Sequence, residues 1–386
     1  MNNFEYFNPT RIVFGKGQIS RLRDLVPQSA SVLMCYGGGS IKHNGVYEQV
    51  LTALAGWELI EFSGIEPNPD FDTLMHAIRL GREKGINFVL AVGGGSVIDG
   101  AKLIAAGIPY QQGDVWDIVT MDAKLKRGDA LPLGTVLTLP ATASEMNGTS
   151  VISRRSTQEK LGWFSEAVFP VFSILDPTTT FTLPIKQVRN GVVDAYIHVI
   201  EQYATYPVNA LLQDRQAEGI LITLQTVGED ALKQPPDYDT RANFMWAATS
   251  ALNKLINKGV PEDWATHRIG HELTAFYGLD HAESLAVVLP YLLWHQRQQK
   301  ADKLVQYAQR VWGLHGDGEA VIRAAIDKMT LFFNRLGMPT KLTDFNINPD
   351  EAVERVRARF ESRQVLLGEL NQIDPDIVAE ILRMSQ

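Results

Sequence analysis

Histidines and an aspartate recur at helical spacing in the second half of this sequence. Asp194 and His198 are four residues apart in "NGVVDAYIHVIEQY", as are His267 and His271 in "WATHRIGHELTAFYGLDHAESLAVV", where His281 follows ten residues later. Residues four apart share one face of a helix. A carboxylate and imidazoles converging from two helices would form a divalent-metal site, and a buried aspartate needs such a partner. The alternative is that these are ordinary histidines of amphipathic helices.

Two glycine loops stand out in the first half. The segments "SVLMCYGGGSIKHNGVYEQV" (31–50) and "NFVLAVGGGSVIDGAKLIAA" (87–106) each read as an apolar strand, three glycines, a serine and a further helix. Glycine lets a ligand approach the backbone, the serine can cap the helix, and a helix start favours phosphate. The usual dinucleotide fingerprint is absent, since Ile98 stands where its third glycine would be. The pair predicts sites for the two ends of a dinucleotide; the alternative is two tight turns.

The elements that must position these residues change character near residue 180. Before it, short apolar strands alternate with helical segments, which predicts an α/β domain with a parallel sheet at 1–180. After it, long segments of helical periodicity predict an all-α domain at 181–386. The proline-containing stretch "ILDPTTTFTLP" (174–184) marks the crossing.

Composition limits the classes of function. The 386 residues are 45% hydrophobic and 21% charged, with a net charge of −8, which argues against a nucleic-acid partner. No stretch approaches the ~18 apolar residues of a membrane span. The start lacks a signal-peptide pattern, and the one cysteine, Cys35, forms no intrachain disulfide. We therefore expect a cytoplasmic protein.

Several segments together resemble the iron-containing, metal-dependent alcohol dehydrogenases. They are "PTRIVFGKGQI", "GIEPNPD", "VGGGSVIDGAK", "TLPATASEMN", "DPTTTFTLP" and the two histidine windows, and they cover nearly the whole chain in the family's order. Within the family, the chain is most similar to bacterial NADPH-dependent aldehyde reductases and butanol dehydrogenases. The resemblance implies a Rossmann-like N-terminal domain and a helical C-terminal domain, with the active site in the cleft between them, and a homodimer.

The resemblance also implies roles for individual residues. The implied metal ligands are Asp194, His198, His267 and His281. His271 would lie beside the nicotinamide and substrate, where it either relays a proton or only packs. The implied cofactor contacts are Gly37, Gly38, Gly39, Ser40, Gly94, Gly95, Ser96, Asp99, Thr138, Thr142, Asn147 and Lys160. One departure concerns Ala143, which stands where the family commonly has glycine, so the turn is expected to differ slightly.

The implied reaction is the reversible reduction of short-chain aldehydes, with Fe²⁺ or Zn²⁺ polarising the carbonyl oxygen. A glycerol dehydrogenase-like or dehydroquinate synthase-like enzyme is the alternative on the same fold. Residue types favour NADP(H), because the strand "SVLMCY" ends in Gly37 to Ser40 with Lys42 nearby and no acid that would repel a 2′-phosphate. Dual cofactor use is the competing interpretation.

Overall fold

The computed structural model describes all 386 residues, which form two compact units. The sheet unit comprises Phe7–Pro184 and Pro235–Thr249, and the helical unit comprises Met1–Tyr6, Ile185–Gln234 and Ser250–Gln386. A short segment from the second half of the chain thus belongs to the sheet unit. The division into domains 1–180 and 181–386 stays a prediction.

The chain forms eight strands and fourteen α-helices. The strands are β1 (Arg11–Phe14), β2 (Ser31–Tyr36), β3 (Glu58–Phe62), β4 (Phe88–Gly94), β5 (Leu133–Leu139), β6 (Thr149–Arg154), β7 (Glu159–Phe164) and β8 (Phe172–Leu175). The first helices are α1 (Leu22–Leu25), α2 (Val46–Ala53), α3 (Phe71–Glu83), α4 (Gly95–Gly107) and α5 (Trp116–Val119). They are followed by α6 (Ile185–Tyr203), α7 (Leu211–Ala231), α8 (Tyr238–Ala251), α9 (Ala265–Tyr277), α10 (His281–His295), α11 (Ala301–Trp312), α12 (Gly318–Arg335), α13 (Pro349–Ser362) and α14 (Pro375–Met384).

The predicted parallel sheet is confirmed. Six strands pair in the order β1-β8-β5-β4-β2-β3, and every pairing is parallel. Strands β2 and β4 are mostly apolar because alternate side chains enter cores on opposite faces of the sheet. One core receives Leu33, Cys35, Val89 and Ala91, and the other receives Val32, Met34, Leu90 and Val92. The antiparallel hairpin of β6 and β7 was not predicted from the sequence.

Strand order explains why two similar loops occur. Strands β2 and β4 are neighbours, with Tyr36 opposite Val92 at their carboxyl ends. The chain turns outward from β2 to β3 and then returns to β4 on the other side of β2, which makes this point a topological switch. Open α/β sheets bind ligands at such points. The two glycine loops therefore lie side by side at one edge of the sheet.

Three helices carry the histidine windows of the helical unit. Helix α10 packs against both α6 and α9. Gly278 ends α9 in the left-handed conformation, with φ of 71°, and the chain turns so that His281 begins α10. None of the helices in the structure combines the length and the hydropathy needed to span a bilayer.

Candidate metal centre and cofactor site

Four side chains converge within the helical unit. Asp194 and His198 come from α6, His267 from α9 and His281 from the start of α10. One ligand atom from each lies within 4.8 Å of those of the others. Asp194 Oδ1 is 3.7 Å from His198 Nδ1 and 3.6 Å from His281 Nε2, while the Nε2 atoms of His198 and His267 are 3.0 Å apart. The structure thus brings together the four residues expected to be ligands.

The environment of this group suits a divalent cation. Asp194, His198 and His267 are buried, while His281 is partly exposed. Burial lowers the pKa of His198 well below its ordinary value, and the nearby charge of His267 lowers it further. A neutral imidazole has the free lone pair that a metal needs. One carboxylate and three imidazoles fit Fe²⁺ or Zn²⁺.

A fifth residue, Glu201, belongs to the site and was missed in the sequence analysis. Its carboxylate accepts a hydrogen bond from the backbone N–H of His267 (3.2 Å) and also pairs with the ring Nδ1 of His267. Burial raises the pKa of Glu201 well above its ordinary value, and the charge of Asp263 adds to this effect. Hydrogen bonds from the backbone of His267 and Thr266 and from the Thr266 hydroxyl favour the carboxylate form and oppose the shift. The signal was present, since Glu201 follows Asp194 by seven residues and so lies on the same helix face.

His271 lies next to the four-residue group but outside it. It is one turn further along α9 than His267, and its ring centroid is 5.5 Å from that of His281 and 6.2 Å from that of His267. The side chain is buried, at 9% exposure. This position is compatible with both expected roles, a proton relay and a packing contact.

The first glycine loop leaves open space. Gly38 and Gly39 have no atoms within 4 Å of where a Cβ would lie, and Gly39 has a φ of +95°. Ser40 begins a short 3-10 turn whose N-cap is Gly39, without a side-chain capping bond. The expected serine cap is therefore wrong here, because the hydroxyl belongs to a residue already inside the turn. The exposed backbone of this loop is free to meet a ligand.

The glycines of the second loop are explained by packing inside the protein and not by open space for a ligand. A Cβ on Gly94 would lie 2.9 Å from Leu139 Cβ, and one on Gly95 would lie 2.5 Å from Thr142 Oγ1. Internal packing therefore requires these glycines. Ser96 does not cap α4, because it is the second residue of the helix and its hydroxyl accepts a bond from the backbone N–H of Asn68 (3.3 Å).

Three further residues expected to contact the cofactor also belong to the sheet unit. Thr138 lies near the end of β5 and Thr142 follows it, and β5 is the neighbour of β4. Lys160 is buried in β7. The structure thus places these three residues in the sheet unit with both glycine loops.

Asp99 and Asn147 are engaged by the protein itself. The Asp99 carboxylate accepts bonds from Ser144 Oγ (2.5 Å) and from the backbone N–H of Val151 (3.0 Å). Burial raises the pKa of Asp99, although the charge of Lys102 opposes the shift. Lys102, which the sequence analysis did not single out, donates to Asn147 Oδ1 at 3.1 Å. These residues shape the loop after β5 from within.

Ala143 adopts the conformation that a glycine would favour. Its φ is 50° and its ψ is 22°, in the left-handed region, and it is fully buried. Alanine therefore accepts a strained backbone here, which costs about 1–2 kcal/mol in L-residues. A slight difference of this turn from that of the family stays a prediction.

A carboxylate lies close to the first loop after all. No acid follows β2 directly, but Glu61 of β3 is 3.4 Å from Lys42 Nζ. The hydroxyls of Tyr36 and Tyr47 donate to this carboxylate at 2.7 and 2.5 Å. Burial raises the pKa of Glu61, but the two hydroxyls and Lys42 outweigh it and lower the pKa overall. Glu61 is thus an anion that is already paired.

Comparison with known proteins gives matches over the whole chain. The family model described as iron-containing alcohol dehydrogenase matches residues 9–177, and the model for the C-terminal part of the same family matches 189–386. The NADPH-dependent aldehyde reductase YqhD of Escherichia coli is 52% identical over 383 residues, covering 99% of both chains. The probable NADH-dependent butanol dehydrogenase 1 of Bacillus subtilis is 42% identical, covering 100% of both. The structure of NADH-dependent butanol dehydrogenase A from Thermotoga maritima superposes with a TM-score of 0.94 at 37% identity, covering 100% of this chain and 99% of the other.

Proposed function

The chain belongs to the iron-containing alcohol dehydrogenase family, and we propose that it reduces short-chain aldehydes to alcohols with NADPH and one divalent metal. The observation that carries the proposal is the group formed by Asp194, His198, His267 and His281, whose ligand atoms lie within 4.8 Å of one another. The name of the E. coli relative supports both the reaction and the cofactor. It also supports aldehyde reduction over the glycerol dehydrogenase-like and synthase-like alternatives.

The residues of the metal group have separable tasks. When bound, the metal would polarise the aldehyde oxygen and NADPH would supply hydride. Asp194 is the one anionic ligand, so it balances only part of a divalent charge and leaves the site positive where alkoxide charge develops. The imidazoles of His198, His267 and His281 add donor atoms without adding charge. Burial of the group limits competition from water.

His271 is our candidate for the proton donor to the product alkoxide. Its ring lies beside that of His281 but outside the ligand group. An imidazole that comes within hydrogen-bond reach of the alkoxide can donate its proton there and regain one from solvent. The competing role is packing against the nicotinamide. Substitution of His271 by alanine should lower the maximal rate much more if His271 is the proton donor than if it only packs.

The first glycine loop supports a preference for NADPH. Gly38 and Gly39 present backbone beside open space, and oriented backbone N–H groups can hold a phosphate. Glu61 would disfavour a 2′-phosphate if its charge were unpaired, but Lys42 and two tyrosine hydroxyls already engage it. The B. subtilis relative is described as NADH-dependent, so the ratio of kcat/KM for NADPH and NADH is the measurement that tests the preference.

We further propose a cytoplasmic homodimer joined through the edge of the sheet. Strand β1 has a neighbour on one side only, so its outer backbone groups are available for pairing. Phe14, the last residue of β1, is 40% exposed, and Trp246 of α8 is 45% exposed. Their ring centroids are 6.1 Å apart. Trp246→Glu should yield monomers in light scattering. Phe164→Glu, at an exposed phenylalanine of β7, is the matched control.

The decisive test of the activity is a substrate panel on metal-defined protein. Protein loaded with either Fe²⁺ or Zn²⁺ should oxidise NADPH with short aliphatic aldehydes, and metal-free protein should not. Turnover that is independent of metal, or confined to polyols, would overturn the proposal.

A further inference from the structure

Glu201 holds His267 at two points. Glu201 Oε1 accepts a bond from the backbone N–H of His267 at 3.2 Å, and Oε2 pairs with the ring Nδ1 of the same residue. Glu201 is 4% exposed and His267 is 7% exposed, so little water competes for either bond. One carboxylate on α6 therefore controls both the backbone and the ring of a residue on α9.

The ring contact bears on the opposite nitrogen. A neutral imidazole has one N–H and one lone pair. His267 Nε2 faces the ligand group, 3.0 Å from His198 Nε2, so the lone pair must be on Nε2 for that atom to bind a metal. The proton is then on Nδ1, where the Glu201 carboxylate lies in position to accept it.

We infer that Glu201 is a positioning residue for the metal, because it fixes the tautomer and the ring orientation of His267. The inference rests on the proposed metal function and deepens it. Outer partners of this kind typically contribute about 10–100-fold to metal affinity.

A purely structural role is the competing explanation. His267 is the third residue of α9, and its backbone N–H is one of those that a helix start leaves without an intrahelical partner. Glu201 satisfies this group and so joins α9 to α6. A role limited to this bond would affect folding but not metal affinity.

Glu201→Gln separates the two roles. The amide oxygen of glutamine can still accept the backbone N–H, and its NH₂ group then faces Nδ1. An amide donor at that place favours the tautomer with the proton on Nε2, which opposes metal binding. The variant should therefore keep the thermal stability of the metal-free protein and lose Zn²⁺ affinity. Glu201→Ala should lose both.

The measurement is the Zn²⁺ dissociation constant, obtained by competition with a chromophoric chelator, together with the melting temperature of the metal-free protein. We expect about 10–100-fold weaker Zn²⁺ binding in Glu201→Gln. Glu218→Gln is the matched control, because Glu218 is another buried carboxylate of the helical unit and accepts bonds from Tyr203 and Arg310. That control should lower the melting temperature and leave Zn²⁺ affinity unchanged.

The outcomes distinguish this inference from the proposed function. If the unmodified protein binds no Zn²⁺ or Fe²⁺, the proposed metal site itself is wrong. If the unmodified protein binds Zn²⁺ and Glu201→Gln binds it equally well, the positioning role is overturned. A second measurement needs no Glu201 variant: ¹⁵N spectra of histidine-labelled, Zn²⁺-loaded protein should show His267 protonated at Nδ1, with the signal assigned through its loss in His267→Asn. A proton on Nε2 would also overturn the inference.

Discussion

The ammonium group of Lys102 lies 2.8 Å from the hydroxyl of Ser144, and both side chains are buried. The same ammonium also donates to Asn147 Oδ1 and to the carbonyl of Thr149, at 3.1 and 2.7 Å. The ammonium group of Lys102, on α4, thus stabilises the loop between β5 and β6. The carboxylate of Asp99 supplies the opposite charge. This loop carries two of the expected cofactor contacts, Thr142 and Asn147, so its shape and cofactor binding should depend on Lys102.

Replacement of Lys102 by methionine should destabilise the sheet unit. Removing one partner of a buried charge network leaves the other uncompensated and typically costs about 3–5 kcal/mol. We expect a loss of this size in the free energy of unfolding by urea, with weaker NADPH binding. Lys84→Met, at an exposed lysine, is the control and should change stability by less than about 0.5 kcal/mol. Equal stability of both variants would contradict this account.

Substitution of His281 or Asp194 by alanine should abolish turnover and deplete bound metal. Each change removes a donor atom, and Asp194→Ala also removes the one negative charge of the ligand group. NADPH affinity should change little, because the glycine loops belong to the sheet unit. Metal content by mass spectrometry and NADPH fluorescence titration test both parts. Near-normal activity and metal content in His281→Ala would show that the ligand assignment is wrong.

His271→Ala should lower the maximal rate while the metal stays bound. Lost acid–base catalysis typically costs about 10²–10⁴-fold, whereas a packing contact should cost far less. Steady-state rates and metal analysis on the same sample distinguish the two roles. Loss of metal would instead make His271 a ligand.

An aspartate in the first glycine loop should reduce the use of NADPH. Gly39 is a poor place for it, because a φ of +95° would strain any side chain, whereas Gly38 has open space and no positive φ. Gly38→Asp should lower kcat/KM for NADPH several-fold relative to Gly38→Asn, which has nearly the same shape without the charge. Rates with NADH should fall less. Equal use of both cofactors by the unmodified protein would refute the proposed preference.

Glu145 should make stability depend on pH. Burial raises its pKa, although the Thr249 hydroxyl opposes the shift. A carboxyl with a raised folded-state pKa stabilises the protein below its unfolded-state pKa, and that contribution is lost as the pH rises through the folded-state pKa. Glu145→Gln cannot ionise, so its melting temperature should rise relative to that of the unmodified protein as the pH increases through the range above the ordinary glutamate pKa of 4.5. A constant difference over this range would exclude the effect.

Local pattern predicted much of the framework. The apolar runs that became β2 and β4 are readable because a buried parallel strand has no polar face. Spacing on a helix fixes which residues share a face, so it paired Asp194 with His198 and His267 with His271. The resemblance to the family implied which of these residues are ligands. The same spacing rule could have identified Glu201, whose carboxylate was overlooked.

The tertiary structure decided what these residues contact. Sequence by itself determined strand ends and helix faces, since these depend on backbone geometry over a few neighbouring residues, and the four candidate ligand positions came from the resemblance to the family. It did not determine that Lys102 supports a loop more than forty residues away, or that Gly95 is a glycine because of Thr142. It also did not show that helix α8 joins the sheet unit. Contacts between distant segments depend on how whole elements pack, and the residue types of one segment do not specify which atoms of another will meet them.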